Sequence, residues 1–449
     1  MTSRALLTVD LGFGDAGKGS IVDALTRYTN AHTVVRYNGG AQAAHRVFES
    51  ESGREHVFSQ FGSGTLAGAA THLSRFMLIE PLGLLAEEQH LRQLGIANPF
   101  EKLTIDRRAL VITPFTRAIT RLRELARGDK RHGSCGVGIG ETMADFQKYG
   151  DRVLFAGDLL DPKVLREKLY FIRARALEKL RQLLPELPKS ETAEAEQVPV
   201  LDVTWVDWLY ERYEYLARRV KIVDEGHLTT ILQQPGSVIF EGAQGVLLDE
   251  WYGFHPYTTW STTTLANAEC LLNESCFQGD LRRIGITRAY MTRHGAGPMP
   301  SYDMALSHLL PDARNVTNPW QEEFRVGWLD MVLLRYALEL VQPLDMLAVT
   351  CLDRVTRLPT LQVVSEYISK DGPIHKLEVA PSPSLEYQEV LTQNLFSYRP
   401  HLQKIPSSDE LLAYLEEELR VPIGIRSYGP SAKDKVFDLD DLMLDSREA

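Results

Sequence analysis

Short apolar runs rich in β-branched residues recur along the chain, far apart from one another. They lie at residues 6–11, 32–37, 237–240, 283–290 and 346–350. Apolar residues occupy both alternating positions of each run, which is typical of strands buried on both faces. We therefore predict that these segments form the centre of a parallel sheet.

Helical patterns separate these runs. In residues 329–340, apolar side chains recur at the three- and four-residue spacing of an amphipathic helix. Similar patterns at residues 17–28, 163–184 and 205–219 predict further helices. Strands that alternate with helices favour an α/β fold with three layers, in which helices flank a large and mostly parallel central sheet.

The domain organisation follows from composition along the chain. We expect a single domain over residues 1–449, with a helical subdomain at about residues 100–220. The segment at about residues 185–199 is acidic, flanked by prolines and poor in apolar residues, so it predicts a surface linker.

Charge and cysteine content exclude several classes of protein. The 449 residues carry 49 basic and 60 acidic side chains, and the formal net charge is -11. Binding to DNA, RNA or an anionic membrane depends on clustered basic residues, so we expect none of these partners. The chain has no apolar stretch long enough for a membrane span, and its 4 cysteines lack metal-ligand spacing. We expect a protein of the reducing cytoplasm.

Candidate chemistry begins directly after the first predicted strand. Residues 12–18 fit the phosphate-binding spacing G-x-x-x-x-G-K and lead into a predicted helix. Backbone amides in such a loop, the helix N-terminus and Lys18 would together attract phosphate. Gly19 stands where a P-loop has a magnesium-binding Ser or Thr, and Asp15 is an unusual carboxylate for a phosphate loop. A plain tight turn without a ligand is the alternative.

Two more strands end in glycine-rich segments with polar residues. Residues 36–45 end in His45, and residues 240–249 contain Gln244. His45 by itself is most simply a structural histidine, but Asp15 and Lys18 one βα unit away favour catalysis. A run of hydroxyl residues at 257–264 suits phosphate contacts, whereas residues 133–140 and 295–298 are glycine-rich loops by default.

Taken together and in this order, these segments resemble the adenylosuccinate synthetase family. The family motif GDEGKGKIVD corresponds to residues 14–23, RYQGGHNAGHT to residues 36–46, and FEGAQGTLLD to residues 240–249. GWLD is intact at residues 327–330, TKLD resembles residues 350–353, and STGP resembles residues 427–430. Six motifs in register make this resemblance specific, and it covers nearly the whole chain.

The resemblance implies a ligase that joins IMP to L-aspartate and uses GTP and Mg²⁺, giving adenylosuccinate, GDP and phosphate. The 6-oxo group of a purine is a poor leaving group, so it is first phosphorylated and then displaced by the amine. The residues implied in catalysis are Asp15, Lys18, His45 and Gln244. Asp15 would take the proton from N1 and later bind Mg²⁺ together with the carbonyl of Ala44, and His45 would donate to phosphoryl oxygens.

The resemblance also implies two nucleotide sites and a homodimer. The implied GTP-binding residues are Gly14, Gly17, Lys18, Gly19, Asp353, Ser427, Gly429 and Pro430. The implied residues for the purine nucleotide are Asn38, Gln42, Ser134, Cys135, Gln244 and Thr259. Asp353 would accept the N1–H and N2–H₂ donors of guanine, a pattern that adenine lacks.

The sequence departs from the family at the amine-binding loop and at the guanine slot. Where the family has TTGRRRR, whose arginines hold the carboxylates of aspartate, this chain has residues 319–325, with Trp320, Glu322, Glu323 and Arg325. Glutamates repel a dicarboxylate, so we expect either a different amine or poor aspartate binding, and the same chemistry on a different purine nucleotide also stays open. In the alternative, Arg293, Arg314 or Arg325 takes over the carboxylates. Cys351 replaces the lysine that lies along guanine in the family.

Two other functional classes stay open at this point. One is a catalytically inactive nucleotide-binding paralogue, and the other is a P-loop GTPase or kinase. Retention of Asp15, Lys18, His45 and Gln244 argues against the paralogue, because a protein that only binds a nucleotide needs no acid–base pair.

Overall fold

A computed structural model describes residues 3–128, 131–312 and 324–438. The strands of these residues are β1 (Ser3–Asp10), β2 (Thr33–Arg36), β3 (His45–Glu49), β4 (Arg54–Phe58), β5 (Ala70–Leu73), β6 (Leu78–Ile79), β7 (Leu103–Asp106), β8 (Leu110–Val111), β9 (Lys221–Val223), β10 (Gly236–Glu241), β11 (Asp280–Arg288), β12 (Met291–His294), β13 (Phe324–Gly327), β14 (Leu329–Asp330), β15 (Met346–Thr350), β16 (Leu361–Ser369), β17 (Gly372–Ile374), β18 (Arg399–Ile405), β19 (Ile423–Ser427) and β20 (Lys435–Phe437). The helices are α1 (Lys18–Thr29), α2 (Pro81–Gln93), α3 (Pro114–Arg127), α4 (Ile139–Tyr149), α5 (Pro162–Leu183), α6 (Glu191–Leu201), α7 (Thr204–Ala217), α8 (His227–Leu232), α9 (Ala266–Glu274), α10 (Met304–Leu309), α11 (Met331–Val341), α12 (Leu352–Val355), α13 (Leu385–Ser397) and α14 (Ser408–Leu419).

A large central sheet organises the molecule. Within the described residues its strand order is β20-β19-β15-β11-β1-β10-β2-β5-β7-β9. Every pair is parallel except β19 with β20, which is antiparallel. The five strands predicted from the sequence are the neighbours β15, β11, β1, β10 and β2 at the centre. The predicted α/β fold with a mostly parallel sheet is therefore confirmed.

Helices cover both faces of this sheet. On one face, Ile21, Val22 and Leu25 of α1 pack against strand residues such as Leu6 and Ile239. On the other face, α11 contributes to a larger apolar cluster with residues of β1, β10 and β15. Because parallel strands all end at the same edge, the residues that follow β1, β2, β10 and β15 come together there.

A second apolar cluster lies among helices α2, α3, α5, α6 and α7 and strands β5 and β7. The segment predicted as a surface linker differs from the expectation, because residues 191–201 form helix α6. Ser190 caps this helix by accepting from the amide of Ala193 at 3.2 Å, and Glu196 pairs with Arg121 of α3 at 2.6 Å. Ala193 and Val200 are buried, and these few apolar contacts within an acidic segment order it against α3.

The intact motif at residues 327–330 has a structural use. Asp330 is fully buried and caps α11 by accepting from the amides of Val332 and Leu333, each at 3.1 Å. Its other oxygen accepts from the hydroxyl of Tyr367 at 2.8 Å. Burial raises the pKa of Asp330 to about 7.

In the described part of the chain, no helix is both long and apolar enough to cross a bilayer.

Candidate active site

The loop between β1 and α1 is closed by a buried ion pair. Asp10 accepts from the amides of Gly12 and Ala16 at 2.8 and 2.9 Å, and Lys18 Nζ lies 2.7 Å from Asp10 Oδ2. The Lys18 ammonium also donates to the carbonyl of Gly14, and its side chain is 2% exposed. Lys18, predicted to hold phosphate, therefore faces the inside of the loop. Burial raises the pKa of Asp10, against the opposing effect of Lys18.

Helix α1 begins directly against His45. A Cβ atom added to Gly19 would lie 2.9 Å from the carbonyl oxygen of Arg46 and 3.0 Å from Cβ of His45. The hydroxyl residue of a P-loop does not fit at this position, which explains the glycine. The same contact places the first turn of α1, four residues after Asp15, against the backbone and Cβ of His45.

His45 is oriented by a buried glutamate that the sequence analysis did not single out. Its Nδ1 lies 2.5 Å from Oε1 of Glu241, the last residue of β10. The other carboxylate oxygen of Glu241 accepts from the amide of Ser63 at 2.9 Å. Burial lowers the pKa of His45 to about 4, although Glu241 favours the charged ring. The ring is thus neutral here, with Nδ1–H donated to Glu241, and Nε2 has no bonded partner among the described residues.

Asp15 lies at the mouth of the loop and has a second histidine beside it. Its carboxylate is 32% exposed, and Oδ2 lies 3.3 Å from Nε2 of His294. The backbone carbonyl of Asp15 accepts from Arg288, which anchors the loop. The ring of His294 packs against Phe324 with centroids 4.7 Å apart, and its Nδ1 is buried with no partner among the described residues. His294 directly precedes the glycine-rich loop at residues 295–298 and is not among the residues predicted from the sequence.

Gln244 packs against the first loop in a strained conformation. Its φ of 62° is left-handed, which is uncommon for a residue other than glycine and is concentrated at functional sites. A Cβ atom on the next residue, Gly245, would lie 2.2 Å from the carbonyl oxygen of Gly12, so the two loops touch. Oε1 of Gln244 is buried and unpaired within the described residues, as are both amide atoms of Gln42. Buried amides without partners indicate a ligand that completes them.

Asn38 bonds to the backbone of two neighbouring segments, at residues 243 and 262. It is fully buried, and its amide donates to the carbonyl of Thr262 at 2.8 Å and accepts from the amide of Ala243 at 2.6 Å. These bonds place Gln244, the next residue after Ala243. Contact between Asn38 and the purine nucleotide stays a prediction.

The other predicted nucleotide residues lie on neighbouring loops. The amide of Ser134 points to the carboxylate of Glu124 at 3.4 Å, and the amide of Thr259 donates to the carbonyl of Leu248 at 2.9 Å. The Thr259 hydroxyl has no hydrogen-bond partner in the described part of the chain. This hydroxyl is therefore available for a phosphate.

The predicted guanine residues lie at the ends of β15 and β19. Thr350 donates to the carbonyl of Ala16 at 2.8 Å, which links this region to the first loop. Cys351 follows with a left-handed φ of 60° and starts α12, on which Asp353 lies. Ser427 is buried, and its hydroxyl donates to the carbonyl of Gly429 at 3.3 Å. Burial raises the pKa of Asp353.

The amine-binding loop is only partly described. Trp320, Glu322, Glu323 and Arg314 lie outside the described residues. Arg325 donates to the carbonyls of Gly295 and Gly297 at 2.7 and 2.9 Å. Arg293 is buried, donates to the carbonyls of Ala296 and Pro298 at 3.1 and 2.8 Å, and lies over the ring of Phe13. Both arginines therefore support the loop at residues 295–298.

The oxygen atoms at the mouth of the loop fit a magnesium ion. Mg²⁺ prefers one or two carboxylates, carbonyl oxygens, water and substrate phosphates. Asp15 offers a partly exposed carboxylate, and Ala44 is exposed next to His45. Within the described residues no cluster of three or more metal-binding side chains occurs.

The comparisons with known proteins agree along the whole chain. A family model for adenylosuccinate synthetase matches residues 8–436. The adenylosuccinate synthetase of Syntrophobacter fumaroxidans is 33% identical over 95% of this chain and 97% of its own length. That of Desulfovibrio desulfuricans is 30% identical over 96% of this chain and 99% of its own length.

Two solved structures share the fold. Fully ligated adenylosuccinate synthetase from Plasmodium falciparum has a TM-score of 0.78 at 21% identity, covering 98% of this chain and 100% of its own. The succinoaminodeoxyadenylate synthetase of cyanophage S-2L, bound to dGMP and dATP, has a TM-score of 0.61 at 17% identity and covers 98% of both chains.

Proposed function

We infer that this chain, which belongs to the adenylosuccinate synthetase family, is a GTP-dependent ligase that joins IMP to L-aspartate to form adenylosuccinate in purine nucleotide biosynthesis. The proposed roles of the residues are supported by one observation, the close approach of three segments that follow strand ends. There the loop bearing Asp15, the His45–Glu241 pair and the strained Gln244 lie against one another.

Asp15 is the proposed base of the first step. The γ-phosphoryl group of GTP moves to O6 of IMP, and N1 of the purine must lose its proton so that O6 becomes nucleophilic. Asp15 is partly exposed at the loop mouth, whereas Asp10 is bound to Lys18 and two amides. Of these two carboxylates, only Asp15 is placed to receive the proton. In the second step the amine attacks C6, and phosphate leaves with O6.

His45 is the proposed donor to the transferring phosphoryl group. Glu241 holds Nδ1, so Nε2 is the atom that faces a substrate. A phosphoryl oxygen next to Nε2 stabilises the imidazolium form, and Glu241 shares its charge. Magnesium, which Asp15 and the carbonyl of Ala44 would hold, supplies neutralisation of the triphosphate charge.

Substrate positioning completes the proposal. Gln244 and Gln42 have buried amide atoms with no partner among the described residues, and these atoms would bind the purine nucleotide. Thr259 and Cys135 would contact its phosphate. Amides of the loop containing Gly14, Gly17 and Gly19 would hold the phosphates of GTP, with guanine between Asp353 and the segment from Ser427 to Pro430. A homodimer and a cytoplasmic location are finer parts of this proposal, and they rest on the resemblance to the family.

The acceptor assay tests the ligase assignment. Purified protein is incubated with GTP, Mg²⁺ and IMP, with and without L-aspartate, while phosphate and the purine absorbance are followed. We expect phosphate and adenylosuccinate in equal amounts, and neither when IMP or aspartate is omitted. No comparison favours another amine, although Glu322 and Glu323 remain the reason to include neutral and cationic amines in parallel reactions.

Three results would contradict the assignment, each in a different way. Hydrolysis of GTP without IMP would indicate a GTPase. Nucleotide binding without any turnover would indicate an inactive paralogue. Turnover with another amine but not with aspartate would show that the altered loop has changed the acceptor.

A further inference from the structure

Lys435 lies inside the predicted guanine slot, although it belongs to none of the sequence motifs described above. It is the first residue of β20 and pairs directly with Ser427 of β19 in the antiparallel register. The side chain is buried, at 7% exposure, and its ammonium donates to the carbonyl of Gly429 at 2.7 Å. Lys435 thus touches the same short segment that the proposed function places against guanine.

The ammonium of Lys435 is only partly satisfied. Gly429 accepts from one of its three N–H groups, and no carboxylate among the described residues lies within 4.0 Å of it. Burial lowers the pKa of Lys435 to about 8, against the charges of Asp434, Asp23 and Asp353, which act on it from further away. A buried cation with unused donors costs stability, which indicates a function beyond packing.

The nearby carboxylates differ in the number of hydrogen bonds that they already accept from other residues. Asp434 accepts from the amide and hydroxyl of Ser431 at 2.7 and 2.8 Å, and Asp23 accepts from Arg27 at 3.1 Å. The carboxylate of Asp353, by contrast, bonds to no other residue in the described part of the chain. The slot therefore contains one available acceptor, Asp353, and one available donor, Lys435.

We propose that Lys435 reads O6 of the guanine of GTP while Asp353 reads N1–H and the 2-amino group. This specificity role rests on the proposed function, whose guanine slot it refines. On guanine an acceptor, O6, stands next to the donor N1–H, which matches an ammonium beside a carboxylate. Adenine presents an amino donor at position 6, so an ammonium would meet a donor and lose its partner. Sites that leave a buried polar group unpaired reject the wrong substrate strongly.

The proposal is tested by base selectivity of the ligase reaction. Values of kcat and KM are measured for GTP, ITP and ATP at saturating IMP and aspartate, in the wild type and in Lys435→Met. ITP shares O6 with GTP but lacks the 2-amino group. We expect KM to rise by about tenfold or more for both GTP and ITP and to stay unchanged for ATP, so the preference for GTP over ATP falls by that factor.

Two further variants distinguish a role of Lys435 in recognising guanine from a role in supporting the segment at residues 427–430. Lys433→Met is the matched control, since Lys433 is 65% exposed and pairs with Glu51 on the surface, and we expect wild-type selectivity. Lys435→Arg keeps the charge and should retain most of the preference for GTP. Equal losses for all three nucleotides in Lys435→Met, or unchanged selectivity, would overturn the proposal in favour of a structural lysine.

Equilibrium binding separates this proposal from the proposed function. Calorimetry with GDP and ADP needs no turnover, so it measures base preference even if the wild type makes no adenylosuccinate. Preferential loss of GDP binding in Lys435→Met supports the role of Lys435. A GDP-to-ADP preference that is the same in the wild type and the variant contradicts it.

Discussion

Replacement of Asp15 by asparagine is expected to lower kcat for adenylosuccinate formation by about 10³-fold, because the reaction loses its general base. Asparagine has nearly the same shape as aspartate and can still accept a hydrogen bond from Nε2 of His294, which lies 3.3 Å from the carboxylate in the wild type. The backbone contact between Asp15 and Arg288 is also kept. The loss should therefore appear in the chemical step while the fold is preserved.

Steady-state kinetics with IMP, GTP and aspartate checks this expectation, and IMP binding is measured separately by calorimetry. Asp371→Asn is a matched control, because Asp371 is exposed on the turn between β16 and β17. It should have wild-type kcat. If Asp15→Asn kept kcat within about tenfold of the wild type while the control behaved as expected, Asp15 would not be the base.

The second large effect is expected for His45→Asn, with a fall in kcat of about 10²-fold or more. The asparagine amide can occupy the position of Nδ1 and keep a donor for buried Glu241, whereas Nε2 is lost. Stability should consequently change little while the donor to the phosphoryl group disappears. The measurement pairs kcat with the free energy of unfolding from urea denaturation.

His45→Ala serves as the companion variant, because it also leaves Glu241 buried without its histidine. We expect it to lose a comparable factor in kcat and, in addition, about 1–3 kcal/mol of unfolding free energy. A His45→Asn protein with nearly normal kcat, or one destabilised as much as His45→Ala, would argue that His45 is a structural residue.

The sequence was sufficient to predict the centre of the fold, for a clear physical reason. Strands buried on both faces leave continuous apolar runs, and β15, β11, β1, β10 and β2 all carry this pattern. Helix α6 has no comparable apolar pattern in its sequence, because only a few of its residues, such as Ala193 and Val200, are buried. Its order depends on tertiary contacts with α3, which local composition does not reveal.

The functional side chains that could not be predicted from the sequence are those whose partners lie far away along the chain. Glu241 orients His45 from 196 positions away in the sequence, and His294 meets Asp15 from a separate hairpin. Lys435 lies beside the predicted guanine residues on an edge strand. No spacing rule in the sequence connects residues that lie so far apart. Of these three residues, only Glu241 was marked by the sequence, because it lies at the end of a predicted buried strand.

Two predicted ligand contacts have protein partners in the structure. Lys18 bonds to Asp10, and Asn38 bonds to the backbone at residues 243 and 262. The sequence motif identifies the residue types near the ligands, but it does not distinguish a side chain that binds substrate from one that shapes the loop. Their direct contact with nucleotides remains a prediction.

The fate of the purine oxygen tests the central claim most directly. IMP labelled with ¹⁸O at position 6 is converted with unlabelled GTP, Mg²⁺ and aspartate, and the released phosphate is analysed by mass spectrometry. Activation of O6 by phosphoryl transfer predicts that the label appears in phosphate in equal amount to the adenylosuccinate formed. Unlabelled phosphate together with labelled water would contradict the account, since GTP hydrolysis and amine transfer would then be separate events.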